Sequence, residues 1–186
     1  MAACGYAVSR LLLVPPDLAV LERFGDPSAR ASWPLCDRVS VVALQALGAG
    51  VDPDRTRAEW EQLFGSAPEP IELTESGWLG EPAAELRKAL AARYRAAGLG
   101  DERFHDAPAD HLGQELRYLA HLVAESARPG AGPGLGAEIA AFRRAHPDRF
   151  SGDVLAELGR RAQEPLWRAL PGLVEGFLDQ VATPAP

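Results

Sequence analysis

Residues 104–125 read FHDAPADHLGQELRYLAHLVAE, and the spacing inside them decides the class of fold. Leu112, Leu116, Leu119 and Val123 recur at i, i+4, i+7 and i+11, the period of one helical face. His111, Glu115, Tyr118 and Leu122 form a second stripe at the same spacing, half polar and half apolar. The first stripe predicts a core-facing helix. The second predicts a polar edge beside that core, beginning where a loop rich in Asp, His and Pro passes into the helix.

Outward from this stretch the chain reads as helix after helix. Residues 5–24 predict one helix, or two broken at Pro15-Pro16, with Asp17 able to cap the second ahead of Leu18, Leu21 and Phe24. Gly25-Asp26-Pro27-Ser28 then ends it. Residues 35–47 form an apolar run in which Val39, Val42, Ala43 and Ala46 are spaced for burial, and Gly48 and Gly50 stop it. Asp52 or Asp54 caps a helix carrying Trp60, Leu63 and Phe64, with Pro53 in its first turn. A connector, SAPEPIELTESGWLGEP, follows; its Trp78 and Leu79 are costly to leave in water and should fold back onto the body. Helices are further predicted from Pro82 to 97, and at 137–145, 151–161 and 165–181, with Pro147, Pro165 and Pro171 breaking or kinking them. Between them RPGAGPGLG, residues 128–136, reads as a hinge. The sum is all-α: a single compact globular domain of about eight or nine helices over residues 1–182, with a disordered tail at 183–186.

Composition narrows the function. Hydrophobic residues make up 47% of the 186, enough for one filled core, and β-branched residues are few. The formal net charge of −7 lacks the basic face of a nucleic-acid binder and suits a basic ligand instead. Cys4 and Cys36 have neither metal-ligand spacing nor a disulfide framework, which fits reduced thiols. Arg10 precedes only four apolar residues before Pro15, too few for a signal-peptide core. No later run is long enough to span a bilayer, so the expected location is cytoplasmic, without membrane insertion.

Enzyme chemistry finds little purchase. Glu102-Arg103-Phe104-His105 is a lone Glu-x-x-His, whereas a di-iron bundle needs two copies and two further carboxylates. His111/Glu115 and His121/Glu125 are i, i+4 pairs that could ligate a metal but are usually helix-surface hydrogen bonds. Gly132-Pro133-Gly134-Leu135-Gly136-Ala137 fits a loose dinucleotide fingerprint, yet it follows a helix where that fingerprint needs a strand. There is no nucleophile elbow, and Asp110-His111, as neighbours, point apart. The expectation is no catalytic residue, no metal and no cofactor. A small helical metal- or nucleotide-dependent enzyme, or a structural subunit of a redox complex, stands as the alternative. What is left is a binding surface of aromatics near a carboxylate and a histidine, suited to a peptide part basic and part apolar.

Four blocks then carry a resemblance. Glu59-Trp60-Glu61-Gln62-Leu63-Phe64 is similar to a W-x-x-L-F helix end, and Glu75-Ser76-Gly77-Trp78-Leu79 to an S-x-W-L connector. Pro108-Ala109-Asp110-His111 with Glu115-Leu116 and Leu119 is similar to a P-x-D-H-x-x-x-x-L signature. Pro165-Leu166-Trp167-Arg168-Ala169-Leu170 resembles a last helix in which Phe-Tyr is commoner. In this order they resemble the TorD/DmsD/NarJ family of molybdoenzyme maturation chaperones, most closely its DmsD-like branch. The resemblance implies a non-catalytic all-α chaperone that binds the twin-arginine signal peptide and apoprotein of a molybdoenzyme catalytic subunit. Such a chaperone assists insertion of the molybdopterin cofactor and delays export. It also implies peptide-binding roles for Trp60, Leu63, Phe64, Pro108, Asp110 and His111; the local reading adds Trp78 and Glu115. Phe150 stands where Trp is frequent, and Ser66-Ala67 replaces an aromatic, so the client molybdoenzyme is left open. The 128–136 hinge leaves both a monomer and a domain-swapped dimer open.

Overall fold

The computed structural model describes residues 1–100 and 107–182. Eleven α-helices and two single 3-10 turns make up this part, and no strand occurs among the described residues. In chain order they are α1 (Ala2–Leu13), α2 (Leu18–Gly25), α3 (Pro27–Ala31), α4 (Arg38–Ala46), α5 (Pro53–Leu63) and α6 (Glu75–Leu79). There follow α7 (Ala83–Ala96), α8 (Leu112–Ser126), α9 (Leu135–Ala145), α10 (Ser151–Arg161) and α11 (Pro165–Ala182). The nine helices expected from sequence are all present. The count of eight or nine is corrected by α3 and α6, five residues each, which fall in stretches read as a helix stop and a connector. Both are too short to show a period and are set by side-chain caps. Asp26 accepts from Ser28 N before α3, and Thr74 accepts from Gly77 N at the start of α6. The expected tail at 183–186, and the Glu102 to His105 motif, lie outside the described residues.

Asp17 caps α2 as expected, accepting from Val20 N at 2.9 Å, and Pro15-Pro16 separates α1 from α2. Pro171 sits inside α11 without ending it. α8 lies at the centre, packed against α1 and α9, while α11 packs against α4, α1, α10 and α9. Leu112, Leu116 and Leu119 are fully buried in this core, and so are Trp167, Leu170, Leu173 and Phe177 of α11. The second stripe of α8 is buried as well: Glu115, Tyr118 and Leu122 are 0%, 2% and 4% exposed. The expected polar edge is therefore interior.

α4 corrects the sequence reading of its face. Val42 is 58% exposed and Val39 38%, whereas Ser40 and Ala43 are buried. The reason lies on α11. Gly172 and Gly176, one turn apart, leave room for α4 to approach: a Cβ on Gly172 would stand 3.0 Å from Ala43 Cβ, and one on Gly176 would strike the Ser40 hydroxyl. Closeness selects the small face over the apolar one.

Gly5 of α1 meets a similar constraint, since an added Cβ would run into the Phe177 ring and stand 2.7 Å from Ala120 Cβ. Gly159, exposed in α10, has nothing within 4 Å of such a Cβ. Alanine raises helix propensity at both, so only the clash separates them. Gly5→Ala should cost about 1–3 kcal/mol, and Gly159→Ala should add up to about 1 kcal/mol. Denaturant titration of the two variants checks this, and equal signs would refute the close α1–α11 approach.

Candidate functional site

The chain brings two helix N-termini together. Thr74 and His111, each preceding its helix, form an isolated antiparallel bridge. Leu112 N donates to Leu73 O at 2.7 Å, and Glu75 N to Asp110 O at 2.8 Å. α6 and α8 thus start side by side, and the first-turn N–H groups of each are paired across the junction or by the caps. Such ends favour negative charge, and the sequence supplies three buried carboxyls there: Glu75, Asp110 and Glu115, each 0% exposed.

Asp110 is satisfied from inside the protein. Its Oδ2 accepts from Ser76 N at 3.2 Å and Ser76 Oγ at 2.6 Å, and its Oδ1 from Arg87 Nε at 2.7 Å. Asp110, next to the start of α8, reads from sequence as a cap for its own helix, where the dipole favours a carboxylate. The structure corrects this: Asp110 caps α6, and the N-cap of α8 is His111, whose Nδ1 accepts from Gly113 N at 3.0 Å. The two neighbours do point apart, as expected.

Glu75 faces the other way. Its Oε1 accepts from Arg149 Nη1 at 2.5 Å and its Oε2 lies 2.9 Å from His146 Nδ1. Arg149 spans to Glu81 on the surface, also at 2.5 Å. The His146 ring is packed against Phe142 at 4.7 Å between centroids, at the near end of a row running through Tyr118 to Tyr94. Glu115 completes the group. No donor from another residue reaches its carboxyl oxygens. Burial, and then the neighbouring Glu75 carboxylate, to which it can hydrogen-bond when protonated, push its carboxyl well above the usual range. One oxygen each of Glu75 and Glu115 and a ring nitrogen of His146 lie within 4.8 Å of one another. His111 and Glu115 do not pair along α8.

The eight expected site residues fall in two places. Trp60 and Leu63, buried near the end of α5, serve the core: Trp60 Nε1 donates to Leu11 O at 2.9 Å. Phe64 just beyond them is half-buried, edge-on to Trp60 and Trp167. Trp78, Pro108, Asp110, His111 and Glu115 gather around the α6–α8 junction. Segment 71–74 connects the two places, Ile71 N donating to Leu63 O at 2.7 Å and Trp78 Nε1 to Glu72 O at 2.6 Å. Trp78 and Leu79 do fold back onto the core. Partly exposed, and so able to meet a ligand, are Phe64, Trp78, Pro108 and His111.

Sequence reasoning missed Glu75, Arg87, His146 and Arg149, whose partners are far away in the chain. It also missed a signal in plain view. Between Arg57 and Arg87 stand seven glutamates, at 59, 61, 69, 72, 75, 81 and 85, and no lysine, arginine or aspartate. Glu59 is buried, accepting from Gln163 N and Glu164 N at 2.6 and 2.7 Å, and Glu75 is buried in the cluster. The other five are exposed, with Glu81 paired to Arg149 and Glu85 beside Lys88.

The family model for the nitrate reductase delta subunit matches residues 36–156, a span that contains all eight expected site residues. That model describes maturation chaperones within the TorD/DmsD/NarJ group, a family of assembly factors and not of enzymes. It bears out the resemblance at that level and does not reach down to a DmsD-like branch. No curated protein matches the chain. Among the described residues no helix is long and apolar enough to cross a membrane.

The cap at His111 makes stability depend on pH. Burial lowers this imidazole from 6.5 to about 4, and a proton on Nδ1 would abolish the bond from Gly113. Between those two values the unfolded chain binds the proton and the folded chain does not. The contribution is whole above about pH 6.5 and drains away as pH falls toward 4. His111→Asn keeps a capping oxygen and removes the titration. Urea midpoints measured from pH 7 to 4 should fall more steeply in the natural protein than in this variant; parallel curves would contradict the assignment.

Proposed function

The chain belongs to the nitrate reductase delta subunit family, and from that premise we propose that it is a cytoplasmic chaperone for a molybdopterin-containing oxidoreductase. It holds the apoprotein of the catalytic subunit by its twin-arginine signal peptide, keeps it from export, and releases it once the cofactor is in place. The observation that carries this reading is the 58–86 segment. It carries five exposed glutamates, no basic residue of its own, and two half-buried aromatics, Phe64 and Trp78.

A twin-arginine peptide is the complement of that surface. Its guanidinium groups can each donate two parallel hydrogen bonds to a carboxylate, which a lysine cannot do. Its apolar segment can cover Phe64 and Trp78, whose faces are already turned partly outward. The surplus of negative charge speeds encounter with a basic partner and makes it salt-sensitive. Asp110 and Glu115 are both buried away from such a peptide, and Asp110 acts through the fold, by holding α6 and its Trp78 against α8. In this reading α8 supplies the footing, and the connector supplies the face.

Calorimetric titration with a synthetic twin-arginine leader should show saturable binding that weakens with added salt. The same peptide with Gln-Gln in place of Arg-Arg should bind far more weakly. Glu61→Gln with Glu69→Gln, both exposed, should lower affinity by about fivefold, the worth of two solvent-exposed charge contacts, at unchanged helicity. Equal affinity for the two peptides would overturn the reading.

A further inference from the structure

We propose that Glu75, Glu115 and His146 form a binding site for one divalent transition-metal ion, a property the chaperone reading neither requires nor includes. The donor atoms are Glu75 Oε2, a Glu115 carboxylate oxygen and His146 Nδ1, all within 4.8 Å of one another.

Two observations beyond the acidic cluster point to a cation. Glu115 is fully buried and aimed at the other two ligands, and no N–H or O–H of another residue donates to its oxygens; the one hydrogen bond open to it is a proton shared with Glu75. Buried carboxyl oxygens that no such donor reaches are rare and call for a reason. The second observation is the way the other ligands are braced. Arg149 holds Glu75 by Oε1, leaving Oε2 for a metal, and is itself anchored by Glu81. Phe142 fixes the plane of the His146 ring. Such outer contacts orient ligands at metal sites. Bonds of about 2.1 Å in tetrahedral array set ligand atoms about 3.4 Å apart, so small side-chain shifts suffice. His146 Nδ1 would exchange its contact with Glu75 for the metal, its proton residing on Nε2, and Glu115 would give up its proton on binding.

One imidazole with two carboxylates selects zinc, cobalt, manganese or iron over magnesium and calcium, which prefer oxygen alone. The His146 side chain is 16% exposed, which gives an ion a way in from solvent. A bound ion would tie together α6, α8 and the turn after α9, the elements that set the position of Trp78 and His111. It would act as a structural rivet.

The test uses the full chain, stripped with chelator and titrated with Co2+ and, separately, Zn2+. About one ion should bind per chain, with a rise in melting temperature that chelator reverses. Glu115→Gln, a neutral isostere, and His146→Gln should each weaken binding by at least about tenfold. Cys36→Ser and His121→Gln should not. X-ray absorption of the zinc-loaded natural protein gives a second measure, free of any folding defect in the variants: a shell of oxygen and nitrogen with imidazole scattering. Sulfur in that shell, full binding by both ligand variants, or failure of the natural protein to bind either ion would overturn the proposal. Peptide titrations on the same preparations are read separately, so loss of the metal site leaves the chaperone reading standing, and the reverse.

Discussion

Everything around the candidate site depends on the meeting of two helix starts, α6 and α8, and on the carboxyls that neutralise them. An N-terminus presents N–H groups that must be paired or hydrated. Two such ends side by side would repel without anions between them. Asp110 answers α6 directly through Ser76, and Arg87 balances its charge. Glu75 extends from the same turn toward His146 and Arg149. Because these groups are buried, removing any one strands its partners in a medium of low polarity. The junction is held by mutual need.

That arrangement explains what could and could not be read from the chain. Long helices with a repeat of apolar residues, such as α8, were legible because burial imposes a period. α3 and α6 were not, since five residues cannot display one. The face of α4 was misjudged for a different reason: its burial is set by two glycines on α11, more than a hundred residues downstream, and a periodicity argument sees only one partner of a contact. At the site, Asp110 and His111 could be picked out, but not that Asp110 serves α6 while His111 caps α8, because a cap may come from a neighbouring helix as easily as from the same one. Glu115 was placed at a polar edge on the strength of its chemistry. The structure shows it inside, its carboxyl pushed well above the usual range by burial and then by Glu75.

The distribution of charge divides the labour among residues of one type. Glutamates between residues 58 and 86 serve as a buried cap at Glu59, a buried ion-pair centre at Glu75, and a solvated field elsewhere. Only the solvated ones are free to act on a partner at a distance. The buried ones shape the scaffold on which Phe64 and Trp78 sit. A basic peptide would therefore be drawn by one set and received on a platform built by the other.

α11 has a consequence for how the protein is made. It contributes Trp167, among the largest fully buried side chains, and a run of leucines and Phe177 that covers α1, while its glycines receive α4. α1 and α4 are synthesised long before it. On the ribosome they must wait, with apolar surface uncovered, until α11 has cleared the exit tunnel. A protein proposed to shelter the unfinished chain of another spends the interval before α11 is made in the same exposed condition, and its core closes when that helix arrives, not by gradual accretion from the first helix onward.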